Sequence, residues 1–167
     1  VTTMIKALIV DQADDDSVSA SIREIEAAQL PDDGEVDIAV EYSTINYKDG
    51  LCLNGLGRLV RNYPHVPGID LAGTVISSRA DGIAAGDRVT MNGFRSGEIR
   101  WGGYATRANG KAEWIVKLPD GMSTRHSQML GTAGFTAMQS ILRLEANGMT
   151  PDGGEVPFEA VATYRVE

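Results

Sequence analysis

Glycine constrains this chain more than any other feature. Nineteen of 167 residues are glycine, and between Pro31 and Gly121 they recur often enough to cut the chain into short segments. Apolar or alternating runs of four to eight residues lie at 5–10, 36–42, 71–77, 87–91, 104–108 and 115–118. Such runs, bounded by turn residues, read as strands. Short strands at this spacing predict an all-β barrel or sandwich rather than a βαβ array. One clear helical stretch comes late. Ser123-Thr124 offers an N-cap before residues 125–129. Met138, Ile141, Leu142 and Leu144 then keep helical spacing up to a stop at Asn147-Gly148. A short helical turn is expected over 46–53, after the strand at 36–42. In the tail, Pro157 follows Glu155-Val156 at once, and a central strand cannot spare that N–H. Residues 158–166 alternate weakly and read as an edge strand.

The charge balance narrows the partners. Fifteen Lys and Arg stand against 23 Asp and Glu, a net charge of −8. That argues against general affinity for nucleic acid or anionic membrane, although a local basic spot can still hold a phosphate. The one cysteine, Cys52, excludes an internal disulfide and any multi-cysteine zinc site, and suits a reducing compartment. No run of about 20 apolar residues exists to span a bilayer. The opening Val1-Thr2-Thr3-Met4-Ile5-Lys6 is too short and interrupted for a signal peptide, with Met4 read as the natural start. The expected location is cytoplasmic.

Several stretches carry chemistry or plain structure, and the residues alone leave both open. Asn46-Tyr47-Lys48-Asp49 puts four kinds of polar side chain at a strand end, as a site lip or as a capped turn. Pro64-His65-Val66-Pro67-Gly68-Ile69-Asp70 is stiff loop entering a strand. His65 reads as an exposed loop residue there, and Asp70, among apolar neighbours, needs a partner if buried. Trp101-Gly102-Gly103-Tyr104 either closes over a ligand or pins the barrel. Gly131-Thr132-Ala133-Gly134 lacks both Gly-rich phosphate-loop patterns and reads as close helix packing. Cys52, between Leu51 and Leu53, reads as a packed thiol.

Taken in order, these motifs resemble the medium-chain dehydrogenase/reductase superfamily, in its zinc-free quinone-oxidoreductase-like branch. The nearest likeness is to the NADPH-dependent acrylyl-CoA reductases. The carrying residues are Asn46-Tyr47-Lys48-Asp49-Gly50, Arg61-Asn62-Tyr63-Pro64, Pro67-Gly68-Ile69-Asp70-Leu71-Ala72-Gly73-Thr74-Val75, Gly86-Asp87-Arg88-Val89, Trp101-Gly102-Gly103 and Gly131-Thr132-Ala133-Gly134-Phe135-Thr136-Ala137-Met138. The resemblance implies a mainly β fold with α: a GroES-like, partly open β-barrel catalytic domain at 1–124, followed by helices at 125–148. Residues 149–167 diverge from the pattern, and the nucleotide-binding Rossmann domain of the family is expected to be missing.

The implied reaction is hydride transfer from NADPH to the β-carbon of an α,β-unsaturated acyl-CoA. By the motif match Tyr47, Asn46 and Asp49 form the catalytic cluster, with Tyr47 and Thr132 on the cofactor. Charge alone, not a motif, nominates Arg58, Arg61, Arg95 and Arg100 for the CoA phosphates. Zinc ligands of related enzymes fall at Asn46 and Asp70, with Ile69, so no metal is expected. With the pyrophosphate side of the cofactor unheld, this chain alone is expected to bind NADPH weakly and turn over little. Self-association into a homo-oligomer through apolar surface is a further expectation. The competing readings are a quinone or enone reductase domain and a non-catalytic GroES-like binding module.

Overall fold

The computed structural model describes residues 2–149. Seven strands carry the fold: β1 (Met4–Gln12), β2 (Val18–Glu26), β3 (Val36–Tyr42), β4 (Asp70–Ser78), β5 (Arg88–Asn92), β6 (Arg107–Gly110) and β7 (Val116–Lys117). Helix α1 spans Tyr47–Leu53 and α2 spans Thr124–Ala146. All pairings are antiparallel: β1 and β2 form a hairpin, and β6-β3-β4-β5-β7 form a five-stranded sheet. The expectation of a mainly β fold with helices therefore stands. The described residues fall into two compact units, one ending at Thr132 and one starting at Ala133. In the second, α2 runs on to Ala146 with Phe135, Met138, Ile141 and Leu142 exposed. The tail strand expected at 158–166 lies outside the described residues.

Alternation in β1 and β3, and continuous burial in β4 and β5, build the core of the first unit. Ile5, Ala7 and Ile9 of β1 are buried, and Ala7 and Ile9 pack with Val66 and Ala105. Val36 and Ile38 of β3 meet Leu71 and Val75 of β4, Val89 and Met91 of β5, and Ala108 of β6. Each fully buried aliphatic side chain contributes roughly 1.5–3 kcal/mol. The strand expected at 104–108 starts later, at Arg107, because Tyr104 and Ala105 turn to bond Pro67 and β1 instead. Strand β2 was not expected at all. Its Ile22 is 70% exposed and its polar residues face water, so no buried face marks it in the sequence.

His65 corrects the reading of an exposed loop residue. It is buried at 2% exposure, bridges to Val10 through its backbone, and Nε2–H donates to the Gly97 carbonyl at 2.8 Å. Burial holds its pKa below the ordinary 6.5, against the opposing pull of that hydrogen bond. The folded state thus keeps His65 neutral while the unfolded chain still protonates near 6.5. The stabilisation is complete above that pH and is lost as pH falls below it. Thermal melts across pH 7 to 5 should show a steeper decline for the wild type than for His65→Gln. Parallel declines would contradict this.

Candidate active site

The site is built at the junction of α1, the start of β4 and the break in α2. Asn46, in extended conformation, is the N-cap of α1, and Asp49 stands at its third position. Asp49 is fully buried. One carboxylate oxygen accepts from the Asn46 backbone N–H at 2.8 Å. The other accepts from Gly68 N–H at 3.2 Å and Ile69 N–H at 3.0 Å. So Asp49 ties the entry to β4 to the helix start. It faces inward, and the expectation that it belongs to the catalytic cluster is corrected. The tie requires Gly68. Its φ is +104°, and a Cβ there would stand 2.7 Å from the Gly103 and Tyr104 nitrogens.

Asp70 is the second fully buried carboxylate, and it has the partners its burial demands. It accepts from the Asn46 side-chain amide at 2.9 Å, from Thr132 N–H at 2.8 Å and from the Thr132 hydroxyl at 2.5 Å. Thr132 reaches it because α2 breaks at Gly131, where φ is 51° and ψ −161°. Only glycine adopts that region readily. A Cβ at Gly131 would also meet Thr44 Cγ2 at 2.8 Å and Asp70 Oδ2 at 3.0 Å. Gly131→Ala is expected to cost about 1–3 kcal/mol and to lower Tm, while the neighbouring Ala133→Gly costs less than about 1 kcal/mol. Equal melting of Gly131→Ala and wild type would contradict this account of the break.

Above this network lies a cleft of about 420 Å³ lined by Asn46, Tyr47, Lys48, Phe94, Arg95 and Thr132, among others. Tyr47 is 83% exposed, and its hydroxyl has no partner among the described residues. Lys48 Nζ stands 2.9 Å from Oε1 of the nearly buried Glu98, which also lines the cleft. Behind, Tyr104 donates to the Thr44 carbonyl at 3.2 Å. Burial, followed by the negative charge of Asp49, pushes the Tyr104 phenol well above its usual range and keeps it neutral. The Cys52 thiol is buried, and burial with the Asp49 and Glu98 charges pushes it up to about 11. It is a packed thiol here.

The structure brings Asn46, Tyr47, Thr132 and Arg95 together. It separates the other three arginines from them. Arg100 pairs with Asp33 and lies 4.8 Å over the Trp114 ring. Arg58 and Arg61 are exposed and do not line the cleft. The sequence reading missed Phe94 and Glu98. Their signal was the turn Gly93-Phe94-Arg95-Ser96-Gly97-Glu98, directly after the strand that pairs with β4. At the positions where the resemblance puts zinc ligands, Asn46 and Asp70 bond each other. Among the described residues no group of three or more His, Cys, Asp or Glu is placed to hold a metal.

Comparison with known proteins decides the family. The model of the alcohol dehydrogenase GroES-like domain matches residues 32–120. The chain belongs to that family. It is also similar, at 50% identity over 154 residues, to acrylyl-CoA reductase AcuI of Ruegeria pomeroyi, covering 92% of this chain and 46% of the relative. A putative quinone oxidoreductase, YhfP of Bacillus subtilis, is 44% identical over 156 residues, covering 93% of this chain and 47% of the relative. Among solved structures, the yhdH oxidoreductase of Salmonella enterica in complex with NADP superposes with a TM-score of 0.83 at 44% identity. That match covers 88% of this chain and 45% of the other. The chain spans about half the length of the curated relatives it matches. These likenesses place it in the quinone-oxidoreductase-like branch of the medium-chain dehydrogenases and reductases. No helix among the described residues is long and apolar enough to cross a membrane.

Proposed function

We propose that this chain supplies the catalytic barrel of an NADPH-dependent reductase of α,β-unsaturated acyl-CoA thioesters. The observation that carries the reading is the Tyr47 hydroxyl, unpartnered among the described residues, in one cleft lining with Asn46 and Thr132, which are anchored on one buried carboxylate. The acyl-CoA class comes from the likeness to the Ruegeria pomeroyi reductase, and the phosphorylated cofactor from the Salmonella enterica structure with NADP. The residues fit a nicotinamide. Exposed aromatic faces of Tyr47 and Phe94 suit a flat ring, and the amide and hydroxyl groups around them suit its carboxamide. When bound, NADPH supplies the hydride that reduces the β-carbon.

The chain's own residues do the rest. As the β-carbon is reduced, negative charge grows on the thioester oxygen, which needs a positioned donor rather than a strong acid. Thr132 spends its hydroxyl proton on Asp70, and Asn46 spends one amide N–H there. The Tyr47 O–H, exposed at the cleft and with no partner among the described residues, meets the oxygen. Asp70 fixes the two neighbouring side chains so that no reorganisation is needed at that moment, and Asp49 holds the backbone beneath them. Protonation at the α-carbon completes the reduction. Low turnover by the 167 residues alone, a cytoplasmic location and self-association also belong to this reading.

An NADPH titration tests it, followed by NADPH oxidation with acrylyl-CoA. Both are run on the chain alone and on the chain joined to the part of the Ruegeria pomeroyi relative beyond the matched segment. Saturable binding and acrylyl-CoA-dependent oxidation by the joined protein support the reading, and absence of both in it removes the reading. A quinone acceptor is the second reading, favoured by the 44% identity to the Bacillus subtilis protein. A quinone replacing acrylyl-CoA in the same assay decides between them.

A further inference from the structure

Among the described residues one cation at the cleft is left without a counter-charge. Of the charged groups lining it, Lys48 is bound at 2.9 Å to Glu98, whose side chain is only 7% exposed. Each neutralises the other. Arg95 lines the same cleft, is exposed, and makes no side-chain hydrogen bond, ion pair or ring contact among the described residues. Its backbone is not where a non-glycine residue settles. Arg95 has φ 60° and Phe94 before it φ 52°, between Gly93 at 83° and Gly97 at 72°. Two successive side chains in left-handed conformation persist only where the surroundings over-determine them. Those surroundings are on the page. Ser96 N–H bonds the Gly93 carbonyl, Gly97 N–H bonds the Arg100 carbonyl, and buried His65 holds the Gly97 carbonyl. Phe94 stacks on Trp114 at 5.6 Å. The turn thus spends backbone strain on fixing a guanidinium, unpaired among the described residues, next to Phe94 in the chain and in the same cleft lining as Tyr47.

We propose that Arg95 is the docking point for a phosphate ester on the ligand that lies against Tyr47. A guanidinium fork matches phosphate oxygens two at a time, and its bonds are charge-assisted. In a chain of net charge −8, one uncompensated cation in a small cleft marks where an anion is admitted. The inference rests on the reductase reading for its ligand class, since both ligands of that reaction carry phosphate esters. The mononucleotide half of the cofactor and the phosphopantetheine arm of the acyl carrier share this chemistry.

The test uses the isotope-labelled 167-residue chain and four probes, followed by NMR titration. Nicotinamide mononucleotide is compared with nicotinamide riboside, and 4′-phosphopantetheine with pantetheine. In at least one pair the phosphorylated member should bind roughly tenfold or more tighter, moving the Tyr47, Phe94 and Arg95 resonances. Arg95→Gly should abolish that gain. Glycine accepts the left-handed turn, so the loop survives the loss of the side chain, and an unchanged spectrum outside the loop checks this. A gain confined to the nucleotide pair assigns the anchor to the cofactor, and one confined to the pantetheine pair assigns it to the acyl carrier; either supports the proposal. Equal affinities within both pairs, no binding by any probe, or a gain that persists in Arg95→Gly overturns it. Equal affinities with shifts still centred on Tyr47 would sink the anchor and leave the reductase reading standing.

Discussion

Asp49→Ala should destabilise the first unit by about 3–5 kcal/mol, the largest stability loss expected of a single polar replacement here. The carboxylate is fully buried, and its removal orphans three backbone N–H groups at once, those of Asn46, Gly68 and Ile69. Each buried unpaired donor costs about 1–3 kcal/mol. Asn46 is half-buried and regains some hydration, which keeps the total below the sum of the upper limits. The cavity left behind adds to the cost. In a protein of this size Tm should fall by roughly 10 °C or more. Asp49→Asn keeps one acceptor oxygen but points an amide N–H at a backbone N–H, so its loss should be intermediate. Urea unfolding of the three proteins measures the series. A loss under about 1 kcal/mol for Asp49→Ala would contradict the inward role of this carboxylate.

Residue types made parts of the site legible in the sequence. Asn46 followed three positions later by Asp49 is a capping pattern, and it marks the start of α1. β1 and β3 are legible because they bury an alternating face, and β4 and β5 because they are short apolar runs bounded by turn residues. Asp70 was legible as a buried charge in need of a partner. Its partners were not, because Asn46 and Thr132 lie 24 and 62 residues away in the chain. A hydrogen bond over that separation leaves no local pattern. The inward turn of Asp49 was hidden likewise, since it depends on where Gly68 and Ile69 arrive. His65 reads as a loop residue because prolines stand at 64 and 67 on either side of it. Its burial comes from the bridge to Val10 and the bond to Gly97, both set by the fold. Strand β2 was invisible because it has almost no buried face to betray it.

Tyr47→Phe should lower kcat by about 10²–10³, the cost of one lost oxyanion donor, with little change in KM. The ring is 83% exposed and its hydroxyl has no partner among the described residues, so removing that oxygen strains nothing in the fold. A melt of the variant should match the wild type, which separates chemistry from stability. An interaction made only as charge develops lowers kcat and kcat/KM together. Tyr47→Ala removes the ring as well and should add a rise in the cofactor KM. A silent Tyr47→Phe beside a Tyr47→Ala that raises KM would assign the ring to packing and deny the hydroxyl its role.

The most direct measurement of the proposed chemistry follows the label from deuterated NADPH. The chain joined to the remaining part of the Ruegeria pomeroyi relative is supplied with acrylyl-CoA and NADPH carrying deuterium at the transferable position, in ordinary water. Product analysis by mass spectrometry and NMR should find one deuterium at the β-carbon and a solvent hydrogen at the α-carbon. The same label pattern should form far more slowly with Tyr47→Phe. Deuterium at the α-carbon, or saturated product without deuterium, would contradict the account.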